Sequence, residues 1–251
     1  MVDVPLRHKP SSQTRGAARS SAGGEARRKA GASLALRLLL PLAAAIALAG
    51  GLVRTLRPRQ GSLDLTTDRR PVMLEVAGHS LVAPANMLRS ASVRSGGRFD
   101  QVDLVLHWPD LEGFSERTAA DFTSGDPRAP IIYATIGAQL APLDATARLD
   151  TVYARFFSGK PQAGPAGLVG RALGAGSGFD GEIVYFVPSA PQPFVARCPA
   201  SETAEVPATC LRDINFARDL TISFRFDRNL LGQWQQLEAG MRRLAANVLV
   251  H

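Results

Sequence analysis

The groups able to do chemistry are few and scattered along the chain. His79 and Ser80 fall in Gly78-His79-Ser80-Leu81-Val82, which resembles the start of a Gly-x-Ser-x-Gly nucleophile elbow. That elbow needs glycine where Val82 stands, and it opens a helix, whereas Ser80 to Pro84 reads as strand. A turn residue is the better reading of His79. His107 has Asp103 before it and Asp110 after it. Residues four apart in a strand share a face but lie about 13 Å apart at ~3.3 Å per residue, too far for a hydrogen bond. A solvated strand face is expected there. If the chain is an enzyme, the residues to use are His79, Ser80 and His107, in a hydrolase. Otherwise no residue is assigned a catalytic role.

Metal and cofactor chemistry find little support. His8 lies in the N-terminal arm and His251 is the last residue, which leaves two histidines for the body of the chain. Two cysteines without a nearby histidine cannot complete a tetrahedral site, so no metal is expected. The stretch Gly-Ala-Gly-Ser-Gly at 174–178 lacks dinucleotide-binding spacing, and no Gly-Lys-Ser/Thr follows it. No cofactor is expected either.

Arginines are the other candidates. Arg212-Asp213 and Arg218-Asp219 flank an expected hairpin turn, and Arg225, Arg228, Arg242 and Arg243 follow. Together they would make a face that pairs with carboxylate or phosphate groups. Surface ion pairs worth ~0–1 kcal/mol each are the plainer account. Charge distribution favours it: residues 1–53 hold eight Arg or Lys and two acids, while residues 54–251 hold 21 and 20. The overall charge of +7 therefore belongs to the N-terminal arm. A nearly neutral body lacks the clustered cations that nucleic acid requires.

The elements that must position these groups begin with an arm, residues 1–32, rich in Ser, Gly, Ala and Arg and too poor in apolar residues to fold. Residues 33–53 follow, an apolar stretch of 21 residues and roughly 31 Å as a helix, provided Arg37 reaches back to the headgroups. It is read as a single transmembrane signal-anchor in the bilayer of the inner (cell) membrane. The basic arm before it sets the N-terminus in the cytoplasm and the rest in the periplasm. Ala47-Leu48-Ala49 also fits a signal-peptide cleavage site, but the long region before the apolar core favours an uncleaved anchor. Residues 54–70 read as a linker, and residues 71–251 as the extracytoplasmic domain.

In that compartment disulfides persist, and Cys198 and Cys210 are the only cysteines in the chain. Pairing them would close the base of an exposed loop and contribute roughly 3 kcal/mol. Alternating or continuous apolar runs predict strands at 72–77, 80–84, 101–108, 130–137, 182–187, 193–197 and 219–226. Asp144 caps a predicted helix over 144–157. A second begins after Asp227, with Leu230, Leu231, Trp234, Leu237, Met241, Leu244, Ala245 and Val248 in one stripe. Residues 158–181, with eight glycines, read as a mobile loop. The expected fold is α+β, a largely antiparallel sheet with a C-terminal amphipathic helix packed on it. The function read from these features is a membrane-anchored envelope protein whose domain binds another envelope component and does no chemistry.

Overall fold

The computed structural model describes residues 64–202 and 208–250. The arm 1–32, the apolar stretch 33–53 and most of the linker lie outside the described residues. Among the described residues, no helix is long and apolar enough to cross a membrane.

Among the described residues, eleven strands run in chain order as β1 (Pro71–Val76), β2 (His79–Pro84), β3 (Gly97–Phe99), β4 (Gln101–His107), β5 (Ile131–Ala138), β6 (Phe157–Ala163), β7 (Val169–Leu173), β8 (Glu182–Phe186), β9 (Val195–Pro199), β10 (Thr209–Ala217) and β11 (Leu220–Asp227). Three α-helices accompany them in the same described residues, α1 (Ala119–Thr123), α2 (Ala145–Thr151) and α3 (Trp234–Val248). The first three strands form a small sheet in the order β2-β1-β3. The other eight form one sheet, β4-β5-β11-β10-β9-β8-β7-β6, with every neighbouring pair antiparallel. Strands β6 to β11 run as a meander, and β11 returns to lie beside β5.

Alternation decides the two faces of the large sheet. Along β11, Leu220, Ile222, Phe224 and Phe226 are buried, while Thr221, Ser223 and Arg225 point the other way. The buried set meets Val72, Leu74 and Val76 of β1 and Leu237, Met241, Ala245 and Val248 of α3 in one core. The expected helix on a sheet is thus present. Asp227 accepts from the Asn229 amide at 2.8 Å, but the turn that follows is a 3₁₀ helix, Arg228–Gln233, before α3 begins. Gly232, a poor helix former, lies in that lead-in.

Two stretches differ from the sequence expectation. The helix predicted over 144–157 is capped by Asp144, which accepts from the Ala147 amide at 3.0 Å. Its α-helical part ends at Thr151, and Tyr153–Phe156 continues as a 3₁₀ turn. The β-branched pair Thr151-Val152 marks the break, where the Thr151 hydroxyl donates to the Ala147 carbonyl at 2.7 Å. The larger difference is 158–181, which holds most of β6 and all of β7 rather than one long loop. Three of its glycines, Gly164, Gly170 and Gly174, serve close packing: a Cβ on Gly170 would lie 3.0 Å from Tyr185 Cε1 and 2.9 Å from Gln162 Cγ.

The cysteines are joined, Cys198 to Cys210, with Cα atoms 4.1 Å apart. They lie one step along from the paired residues Arg197 and Leu211, so the bond staples β9 to β10. Both are fully buried in the core. Residues 203–207 of the loop they close lie outside the described residues.

Candidate binding cleft

The outer face of the large sheet is covered at both ends and open between. Phe122 of α1 packs on Val105 and Ile131. Leu149 of α2 packs on Val184 and Val195. Between them, Asp103, Thr135, Ser223 and Asp213 stand in register across β4, β5, β11 and β10. Three of this row, Thr135, Ser223 and Asp213, line a cleft of about 320 Å³ whose walls also include Gln101, Thr221, Leu143 and Arg148. Leu140 stands on its rim, 98% exposed, and also borders an adjoining recess beside Phe99 and Arg98.

Hydrogen bonds fix the row. The Thr135 hydroxyl donates to Asp103 Oδ1 at 2.7 Å, and the Thr221 hydroxyl to Asn215 Oδ1 at 2.6 Å. Arg148 is held on three sides. It donates from Nε to the Tyr153 hydroxyl at 3.1 Å, from Nη1 to the Leu143 carbonyl at 2.7 Å and from Nη2 to Asp213. Burial disfavours its charge, but the hydrogen bond it donates to Tyr153 and the Asp213 carboxylate outweigh that and raise its pKa above the ordinary arginine value. The cleft therefore contains one neutralised ion pair and a set of hydroxyl and amide groups. Asp213 is committed to Arg148 and no histidine lines the walls, so the cleft carries no nucleophile–base pair. Its groups can donate and accept hydrogen bonds without adding a net charge.

The residues singled out in the sequence lie elsewhere. His79 opens β2, after a two-residue turn at Ala77-Gly78 with φ of 49° and 79°. Its Nε2 lies 2.6 Å from the Arg218 carbonyl, an acceptor, so that nitrogen carries the proton. Ser80 is its strand neighbour, pointing to the opposite face, and its carbonyl accepts from the Val250 amide at 3.0 Å. His107 donates from Nε2 to Asp121 at 2.8 Å, while Asp103 is engaged by Thr135. His107 lies beside Ile131 at one end of β5, whereas Arg218 adjoins the other end at Ala138–Leu220. Seven residue steps along the strand separate those ends, about 23 Å at ~3.3 Å per step. The two histidines do not share a site. Among the described residues no three His, Cys, Asp or Glu side chains group as metal ligands.

The arginines expected on one face are divided. Arg212 is 1% exposed and points into the core, where Glu238 of α3 receives it, and Arg242 reaches the same carboxylate. Arg225 is on the outer face. Sequence reasoning assigned no place in the cleft to Gln101, Thr135, Arg148, Thr221 or Ser223, and it read Asp213 only as the neighbour of Arg212 beside a hairpin turn. Alternation already set Thr221 and Ser223 on the polar face, but pairing across 65 residues, as between Arg148 and Asp213, leaves no local sign.

No protein-family model matches the chain, and no curated protein matches it in sequence. Among solved structures it is similar to an immunity protein of the Stenotrophomonas maltophilia type IV secretion system, with a TM-score of 0.51 and 17% identity over 73% of this chain and 94% of that one. It is also similar to the iron-regulated outer membrane lipoprotein FrpD of Neisseria meningitidis, with a TM-score of 0.43 and 13% identity over 75% of this chain and 95% of that one. The first likeness is one of fold.

Proposed function

We propose that residues 71–251 are the extracytoplasmic binding domain of a cell-envelope protein anchored by residues 33–53, and that the partner is another envelope protein on which it does no chemistry. The observation that carries this is the uncovered polar row on the sheet's outer face, with its ion pair internally neutralised and Leu140 standing exposed at its rim. Such a surface suits the hydrogen-bonding rim and apolar contact of a protein interface better than a reacting centre. The buried disulfide supports an oxidising compartment.

Two measurements on the full chain in living cells test this. A photo-crosslinking residue at Leu140 is expected to join the chain to an envelope protein, whereas one at exposed Gln235 of α3 is not. Equal products from both positions, or none from either, would sink the binding reading. Maleimide trapping of Cys198 and Cys210 is expected to fail until the cells' protein is reduced. Thiols that react at once would place the domain in a reducing compartment.

A further inference from the structure

Toward its β6 edge the same outer face carries two arginines in one row. Arg171 of β7 and Arg197 of β9 both pair with Val184 of β8 between them. Two strand spacings set their Cα atoms about 10 Å apart. Each guanidinium lies over an aromatic ring, Arg171 over Phe157 at 4.8 Å and Arg197 over Phe179 at 3.7 Å, measured from Cζ to the centroid. Arg197 pairs through Nε with Glu182 at 3.0 Å. Arg171 donates from Nη2 to the Gly159 carbonyl at 3.5 Å, the outer limit of a hydrogen bond.

What remains unmatched points to a ligand. Arg171 Nε and Arg197 Nη1 are buried and have no hydrogen-bond partner. Buried donors on charged groups are seldom left without an acceptor, because neither water nor protein then repays their desolvation. Arg197 has the carboxylate of Glu182, while Arg171 pairs with no carboxylate among the described residues, which leaves a local charge of about +1.

We propose that Arg171 and Arg197 form a site for a carboxylate, the Asp or Glu side chain of the protein partner. This rests on the reading of the domain as protein-binding and supplies the partner's chemistry. A single carboxylate balances the local charge, whereas a phosphate dianion would leave an excess of negative charge beside Glu182. Glu182 on Arg197 already shows the geometry that the guanidinium offers to a carboxylate. Phe157 and Phe186, stacked 5.9 Å apart, provide an apolar wall, so the acidic residue should have an apolar neighbour. Phe179 is carried on the turn between β7 and β8, while Phe157 and Val184 sit on strands, and it is the ring that yields as the ligand enters.

The test uses the full chain in detergent micelles, followed through its arginine side-chain N–H resonances. The probes are N-acetylglutamate amide, inorganic phosphate and phosphatidylglycerol vesicles. The carboxylate probe is expected to shift the Arg171 Nε and Arg197 resonances, and Arg171→Gln or Arg197→Gln to abolish the response. No shift with any probe overturns the site, and a stronger response to phosphate or vesicles overturns its assignment to a carboxylate. Arg171→Met serves as the folding control. It removes an unpartnered buried donor, so the Tm without ligand should hold or rise, whereas a purely structural arginine would lose Tm. In cells, Arg171→Gln should reduce the Leu140 cross-link on the order of tenfold. An undiminished cross-link overturns this site with the binding reading intact. Absence of the cross-link in the unaltered chain overturns the binding reading, while the resonances still report on the site.

Discussion

Arg212 and Glu238 form a two-pronged pair across the core, Nε to Oε2 and Nη2 to Oε1, both at 2.7 Å. The same guanidinium donates from Nη1 to the Val195 carbonyl at 2.7 Å and lies over the Phe194 ring at 4.8 Å. One side chain of β10 thereby ties together α3 and β9. With Arg212 fully enclosed, Glu238→Ala would strand its charge and should cost about 3–5 kcal/mol. Replacing both members, Arg212→Met with Glu238→Leu, should cost much less, because no ion is then left unpaired. Urea denaturation of the unaltered chain and the two variants checks this, and equal losses in the single and double variants would refute it.

Across the same seam, the Cys198–Cys210 bond joins β9 to β10. Its reduction, or Cys198→Ala with Cys210→Ala, should lower stability by about 2–4 kcal/mol. The denaturation midpoint of oxidised and reduced protein measures it. Because both sulfurs are buried, the reduced chain should still fold at low temperature, with the outer-face cleft intact.

The parts legible in the sequence were those set by local period. Alternation in 219–226 separated Phe224 from Ser223, and the stripe from Leu237 to Val248 identified the face of α3 that meets the sheet. The cysteine pair followed from compartment and count. Arg212 shows where such reasoning ends. Its place in β10, between Cys210 and Ile214 on the inner face, was hidden by its charge, which suggested a surface, and its partner lies 26 residues away. The cleft was less legible still, since Thr135, Ser223 and Asp213 come together only once β11 inserts between β5 and β10. Glycine misled at 158–181, where closeness to Tyr185, rather than freedom of the backbone, explains Gly170.

That last point is testable. In a mobile loop, Gly170→Ala would be neutral or stabilising by restricting the unfolded chain. Against Tyr185 and Gln162 it should instead destabilise by about 1–3 kcal/mol, the usual range for overpacking. Tyr185→Ala in the same background removes the ring contact but not that with Gln162, so it should lower the cost of the added methyl, and a thermodynamic cycle of the four proteins would show that coupling.

At the other end of the chain's titratable groups, Asp68 accepts from the Arg70 backbone amide at 2.9 Å and from Arg70 Nε at 2.8 Å. The backbone bond is the main cause of a carboxyl pKa below the ordinary aspartate value, with the Arg70 and Arg94 charges adding to it. A lowered carboxyl pKa contributes stability above the ordinary value and loses it as pH falls through the lowered one. Asp68→Asn should thus be felt at neutral pH and vanish in strong acid. Carboxyl carbon shifts of Asp68 during an acid titration would move at lower pH than those of unpartnered aspartates.

Arg148 behaves in the opposite sense. Its charge survives burial because Tyr153 and Asp213 hold the guanidinium, raising its pKa above the ordinary arginine value. A cation with a raised pKa contributes stability below its unfolded pKa and loses it only as pH climbs through the folded one. Both lie far above neutrality, so Arg148 stays charged wherever the protein is handled. Asp213→Asn leaves that charge with one neutral acceptor in place of a carboxylate and should destabilise by about 1–3 kcal/mol. The difference between the two proteins should stay flat from neutral to mildly alkaline pH. A difference that shrank over that interval would mean that the Arg148–Asp213 pair is not the contact that closes this side of the cleft.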